Sequence, residues 1–166
     1  RGLGDVYKRQ KKGGAMQTEK LQVFMRSVAA FFEQIGDTLS EIDTPYLQDN
    51  HAPVVYDYSA IIAIGGSIMG SVYVSAPTVM LRRVLRVLGE PEQSMVLLKD
   101  LLGEIANTVA GNARTEFGPN FIISPPVVIE GVPSAQYLPK DRRSYVIPFY
   151  WQEHKAVIGI CIWQKD

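Results

Sequence analysis

Residues 54–77 read VVYDYSAIIAIGGSIMGSVYVSAP. Two runs rich in β-branched and aromatic residues, 54–64 and 68–75, flank Gly65-Gly66, which predicts a β-hairpin. A lone hairpin is marginally stable in water, so further strands or a helix must cover it. Upstream, Leu21, Phe24, Met25, Val28, Phe31, Phe32, Ile35 and Leu39 recur at spacings of three and four, predicting one long amphipathic helix over 19–42. The stretch 43–53 carries turn formers and two prolines and reads as a loop. Downstream, Pro77 opens a helix closed by Gly89 with Pro91 just beyond, and Ser94 caps a second helix of about 95–116. FIIS, VVIEG, RSYVIPFYW and KAVIGICIW follow as strands separated by loops rich in Pro, Gly and Asp. Neighbouring strand runs with helices set between them predict an α+β fold, an antiparallel sheet with long helices packed on one face.

The chain has 166 residues, enough for one domain with a sizeable core. Lys plus Arg and Asp plus Glu each number 17, but residues 1–15 hold five basic residues and one acid. The remaining 12 basic and 16 acidic residues leave a mildly acidic body, which gives no support to nucleic-acid binding. Residues 1–15 show no apolar periodicity and end in Gly13-Gly14 before Met16; they are read as a non-native or disordered leader, and 16–166 as a single domain. No run approaches the roughly 20 apolar residues of a membrane span. The expectation is a cytoplasmic protein without membrane attachment. Cys161, the one cysteine, lies in the apolar run AVIGICIW and reads as a buried small hydrophobe.

Residues 99–115, KDLLGEIANTVAGNART, pose a separate question. Glycine and asparagine are poor helix formers, each Gly costing about 1 kcal/mol relative to Ala in a helix interior. On a wheel of about 100° per residue, Leu98, Leu101, Leu102, Ile105, Ala106, Val109 and Ala113 share one broad face, the core side. Asp100, Glu104, Asn107 and Gly111 cluster opposite, with Gly103 on one flank and Thr108 on the other. Glu104 and Asn107, three apart, are surface neighbours. Two readings of this face stand: a solvated surface with helix-packing glycines, or a low-relief surface that another macromolecule's backbone approaches closely. Asn112 falls toward the core-side edge, where a structural hydrogen bond is expected of it.

Other features carry less. His51 and His154 have no ligand-spaced neighbours, and no metal site is expected. There is no G-x-x-x-x-G-K-[ST] phosphate loop and no G-x-S-x-G elbow. Arg82, Arg83 and Arg86 make one side of the second helix basic, as a solvated face does. Trp151 and Trp163 read as core or interface residues. YVIPFYW is long and apolar for an edge strand, which suggests pairing across a dimer.

The stretch D-L-L-G-E-I-A-N-T-V-A-G-N-A resembles the Glu-x-x-Asn signature of the CheC/CheX phosphatases of bacterial chemotaxis. The surroundings are similar as well: an I-x-G-x-x-x-G-x-V-like hairpin from Ile64 to Val72, a following helix, and a P-x-V-I-x-G-like strand from Pro126 to Gly131. The resemblance spans about Glu19 to Trp163. CheC-type members carry two such motifs and this sequence has one, so it looks like CheX, whose members form homodimers.

That resemblance implies a CheC-like fold and a protein substrate: a CheY-type response-regulator receiver phosphorylated on aspartate. The receiver would bring its own Mg²⁺ and a lysine at the phosphoryl group, so no cofactor of this chain's own is expected. Asn107 would orient the attacking water, because an amide donates and accepts hydrogen bonds at once. Glu104 would dock on the receiver's lysine. Asp100, Thr108, Gly111 and Arg114 lie close enough on the helix to contact the partner and are assigned no chemistry. The same face would equally serve an adaptor or flagellar-switch-type module that binds a phosphorylated receiver without hydrolysing it.

Overall fold

A computed structural model describes residues 16–39 and 41–166, with side chains from Glu19 onward; the expected leader, 1–15, lies outside the described residues. Among the described residues, three helices, α1 (Met16–Gln34), α2 (Thr78–Val87) and α3 (Met95–Phe117), accompany eight strands. These are β1 (Glu41–Ile42), β2 (Tyr46–Asp49), β3 (Tyr58–Gly66), β4 (Ile68–Ala76), β5 (Phe121–Ile123), β6 (Val127–Glu130), β7 (Arg143–Trp151) and β8 (His154–Gln164). All pair antiparallel in one sheet ordered β1-β7-β8-β4-β3-β5, with β2 also on β7 and β6 also on β3. The expected hairpin is β3–β4, in register from Tyr58 opposite Ala76 to Ile64 opposite Gly70. Its first strand, however, begins at Tyr58 rather than Val54 and takes in Gly65 and Gly66, which pair with Ile122 and Phe121 of β5.

The period of two along each strand sorts the core. Ala60, Ile62 and Ile64 of β3, Val72 and Val74 of β4, and Ala156, Ile158 and Ile160 of β8 face the helices, where they meet Phe24, Phe32, Leu102, Ile105 and Val109. Helices therefore cover one face, as expected. The other face is not left to solvent. Ile61, Tyr73, Val146, Val157 and Cys161 form a second cluster with Val54, Val55, Tyr56, Tyr137 and Leu138, drawn from the loops before β3 and β7. A sheet buried on both sides explains why β3 and β8 read as nearly continuous apolar runs rather than alternating ones.

Buried polar groups hold the covering loops. Asn50, 2% exposed, donates to the Pro139 carbonyl at 2.9 Å and accepts from the Ser144 hydroxyl at 2.5 Å. Ser71 donates to the Tyr137 carbonyl at 2.7 Å, and the Tyr73 hydroxyl to the Val54 carbonyl at 2.9 Å. Burial pushes the Tyr73 phenol well above the ordinary tyrosine value, so it stays a neutral donor. Its ring lies over Gly159, its cross-strand partner, where any Cβ would overlap it.

Three expectations are corrected. The first helix ends at Gln34 rather than Ile42. Gly36, at φ +91°, takes the left-handed conformation, its N–H donating to the Glu33 carbonyl and the Asp37 N–H to the Phe32 carbonyl, which stops the helix in a Schellman motif. The 43–53 loop contains β2, which pairs Tyr46–Asp49 with Val146–Arg143. β1 and β2 behave as one interrupted strand, broken where Pro45 and Pro148 have no N–H to give to the ladder. In consequence β7 is not an edge strand: β8 pairs one side and β1 and β2 the other, leaving it no free edge for a dimer partner. Trp151 is fully buried in the core, while Trp163 is half-buried beneath the Arg142 guanidinium, 3.9 Å from its ring centroid.

Candidate functional site

The site is built on α3, and the core fixes which way that helix faces. Leu98, Leu101, Leu102, Ile105, Ala106, Val109, Ala110 and Ala113 are all buried, against the sheet or α1. Ser94 starts the helix, its hydroxyl accepting from the Leu97 N–H at 3.3 Å, and Gly118 ends it. With 23 residues, α3 is the longest helix among those described, and its rotation is set by apolar side chains along most of that length.

The rotation turns Asp100, Glu104 and Asn107 to solvent, with Gly111 half-exposed further along the same stripe and Arg114 exposed at its end. Glu104 and Asn107 sit about 60° apart on the helix, with Cβ atoms about 5–6 Å apart. Neither side chain has a hydrogen-bond or ion-pair partner among the described residues, nor does Asp100. Thr108 is half-buried on the flank. Thr115 donates to the Gly111 carbonyl at 3.1 Å, and Glu116 pairs with Arg26 of α1 at 3.5 Å. The structure thus brings Asp100, Glu104, Asn107, Gly111 and Arg114 onto one solvent-facing stripe, with Thr108 on its flank. A cleft of about 530 Å³ between the start of α1 and the end of α3 is lined by Glu19, Lys20, Arg26 and Phe117, and neither Glu104 nor Asn107 reaches it.

Two helix residues depart from the wheel reading. Gly103 is buried rather than part of a low-relief rim: a Cβ there would stand 3.5 Å from Pro126 and Val128, because β6 runs beneath that flank. Gly111 does open onto space, with nothing within 4 Å of a Cβ. Asn112 is exposed on the α1 side, lining a shallow groove with Val23, Ser27 and Ala30, and makes no side-chain hydrogen bond among the described residues. The expected structural bond is not formed: of the polar groups lining the same groove, Ser27 donates to the Val23 carbonyl and Arg26 pairs with Glu116.

Sequence reasoning did not single out Lys20. The residue is 7% exposed, with the ammonium 5.8 Å from the Phe117 ring centroid and no carboxylate partner among the described residues. Burial lowers its pKa. The signal was a lysine between apolar helix positions, which ordinarily marks a solvated side chain.

An antiparallel sheet with long helices on one face is the α+β architecture of CheC-like proteins. A CheC-like superfamily protein from Shewanella sp. PV-4 has this fold, with a TM-score of 0.73 and 24% identity over 89% of this chain and 99% of that one. The chemotaxis protein CheX from Desulfovibrio desulfuricans gives 0.72 and 23% over 87% and 99%. The CheX–CheY–BeF₃–Mg²⁺ complex from Borrelia burgdorferi gives 0.67 and 19% over 87% and 97%. No curated protein sequence matches the chain. The family model described as chemotaxis phosphatase CheX matches residues 58–150, a span that includes all of α3. The chain belongs to the CheX family.

Proposed function

We propose that this chain hydrolyses the aspartyl phosphate of a CheY-type receiver domain, with Asn107 orienting the attacking water and Glu104 docking on the receiver's lysine. The observation that carries the reading is the placement of a carboxylate and an amide side by side on a solvent-facing helix face, neither with a partner among the described residues. Side chains exposed on the outer face of a helix do not enclose a small molecule, whereas they can enter a concave site on another protein. Membership of a phosphatase family and the existence of a CheX–CheY complex in a structural relative support the same partner class.

Phosphoryl transfer depends mainly on positioning and charge stabilisation. The Asn107 amide would accept a hydrogen bond from the water and fix its lone pair in line with phosphorus. Glu104 would bind the partner's ammonium by a charge-assisted contact in a partly dehydrated interface, setting register along α3. Mg²⁺ belongs to the receiver, as part of the substrate. Asp100, Thr108, Gly111 and Arg114 would complete the contact surface, and a homodimer is the proposed assembly.

The test follows acyl-phosphate loss from a phosphorylated CheY-type receiver with wild type, Glu104→Ala and Asn107→Ala. Loss of docking in the first and of chemistry in the second is the expected pattern. Hydrolysis by both variants at the wild-type rate would refute the assignment. Tight binding of the phosphorylated receiver with no acceleration by wild type would establish an adaptor instead.

A further inference from the structure

Apart from Met95 and Val96, every leucine, isoleucine, valine and phenylalanine of α3 is buried or half-buried. Val96 is 67% exposed and Met95 45% exposed, both in the first turn. Val96 stands four residues before Asp100 and eight before Glu104, on the same outward stripe, about 12 Å along the axis from Glu104. Leu88, 48% exposed, closes α2 just before the short link into α3, which packs against α2. A β-branched side chain exposed in a helix brings this domain neither helix propensity nor burial.

We propose that Val96, flanked by Met95, is the apolar anchor on which the receiver domain seats, fixing how it meets Glu104 and Asn107. This rests on the phosphatase reading. A stable interface covers about 800 Å² per partner, a patch roughly 30 Å across. A receiver centred on Glu104 and Asn107 therefore covers Val96 as well. The stripe then has the usual anatomy of a contact surface, an apolar anchor beside charged and polar positions. The receiver must present an apolar side chain, rather than a charge, about two helical turns from its phosphorylated aspartate. Val96 touches no reacting atom, so its contribution is equal in ground and transition states and appears in KM rather than kcat.

The experiment measures Kd for a CheY-type receiver carrying BeF₃ and Mg²⁺, together with kcat and KM for the phosphorylated form, in wild type, Val96→Ser, Val96→Ile and Asn107→Ala. Val96 is exposed, so neither substitution there disturbs the core, and circular dichroism checks the fold. Val96→Ser is expected to raise Kd and KM about five- to tenfold with kcat within twofold, and Val96→Ile to bind as wild type. Unchanged Kd in Val96→Ser, with hydrolysis abolished in Asn107→Ala, would overturn the anchor and leave the phosphatase reading standing. Weakened binding in Val96→Ser, with hydrolysis retained in Asn107→Ala, would keep the anchor and overturn the assignment of the chemistry to Asn107. No binding by wild type would overturn both.

Discussion

Gly111→Ala separates what the helix needs from what a partner needs. Gly111 lies inside α3, four residues beyond Asn107, and nothing stands within 4 Å of the position a Cβ would take. Alanine is worth about 0.8–1.0 kcal/mol over glycine in a helix interior. For a domain of this size 1 kcal/mol moves Tm by about 2–4 °C, so the isolated variant should melt about 2–4 °C higher. If the receiver's backbone closes over this position, the added methyl overpacks the interface, at a cost of about 1–3 kcal/mol, or roughly five- to 150-fold in kcat/KM. Thermal unfolding and receiver dephosphorylation on the same preparation give both numbers. A higher Tm with kcat/KM within twofold of wild type would refute the close-approach argument, and no rise in Tm would refute the open-space geometry. Gly103→Ala is the internal control. Its Cβ would make ordinary contacts of 3.5 Å with Pro126 and Val128, so it should stabilise the domain and leave activity intact.

Three further outcomes are expected. Gly159→Ala should destabilise the domain by about 2–3 kcal/mol in denaturant unfolding, because the Tyr73 ring occupies the Cβ position and is itself held by the second core. Lys20→Met should raise stability at pH 7 by less than about 1 kcal/mol, since burial opposes the charged ammonium while its stem already packs. Lys20 has a folded pKa below its unfolded value, so its charge disfavours folding at lower pH; the gain from Lys20→Met should shrink as pH rises through the folded value and vanish above 10.5. The stimulated hydrolysis rate should stay flat from pH 6 to 8, because the Asn107 amide has no proton to lose there; a steep rise in a stopped-flow profile through that range would indicate a histidine base and contradict the mechanism.

Much of this architecture could be read before any coordinates. The existence of the β3–β4 hairpin, the Ser94 cap and the apolar face of α3 depend on local chemistry and formed as expected. The hairpin's first strand is shifted to Tyr58–Gly66 because β5 pairs with Gly65 and Gly66. What stayed hidden depends on distant partners. Ile35 and Leu39 continue the helical period of α1, but Gly36 stops the helix and the chain turns toward β7. β2 is four residues with weak strand propensity, and it forms because β7 offers a free edge. The same pairing removed the edge that β7 was expected to offer a dimer partner. Gly103 could not be assigned to packing without knowing that Pro126 and Val128 run beneath it. The wheel placed Glu104 and Asn107 outward, but that they have no partner among the described residues is information only the fold supplies.

The central claim is that Asn107 performs the chemistry rather than the docking. Its most direct test is one paired measurement on Asn107→Ala: affinity for a CheY-type receiver carrying BeF₃ and Mg²⁺, and the rate of acyl-phosphate loss at saturating chain. The account predicts near wild-type affinity with the stimulated rate reduced at least a hundredfold. Wild-type hydrolysis by Asn107→Ala, or a loss of rate explained entirely by lost binding, would contradict it.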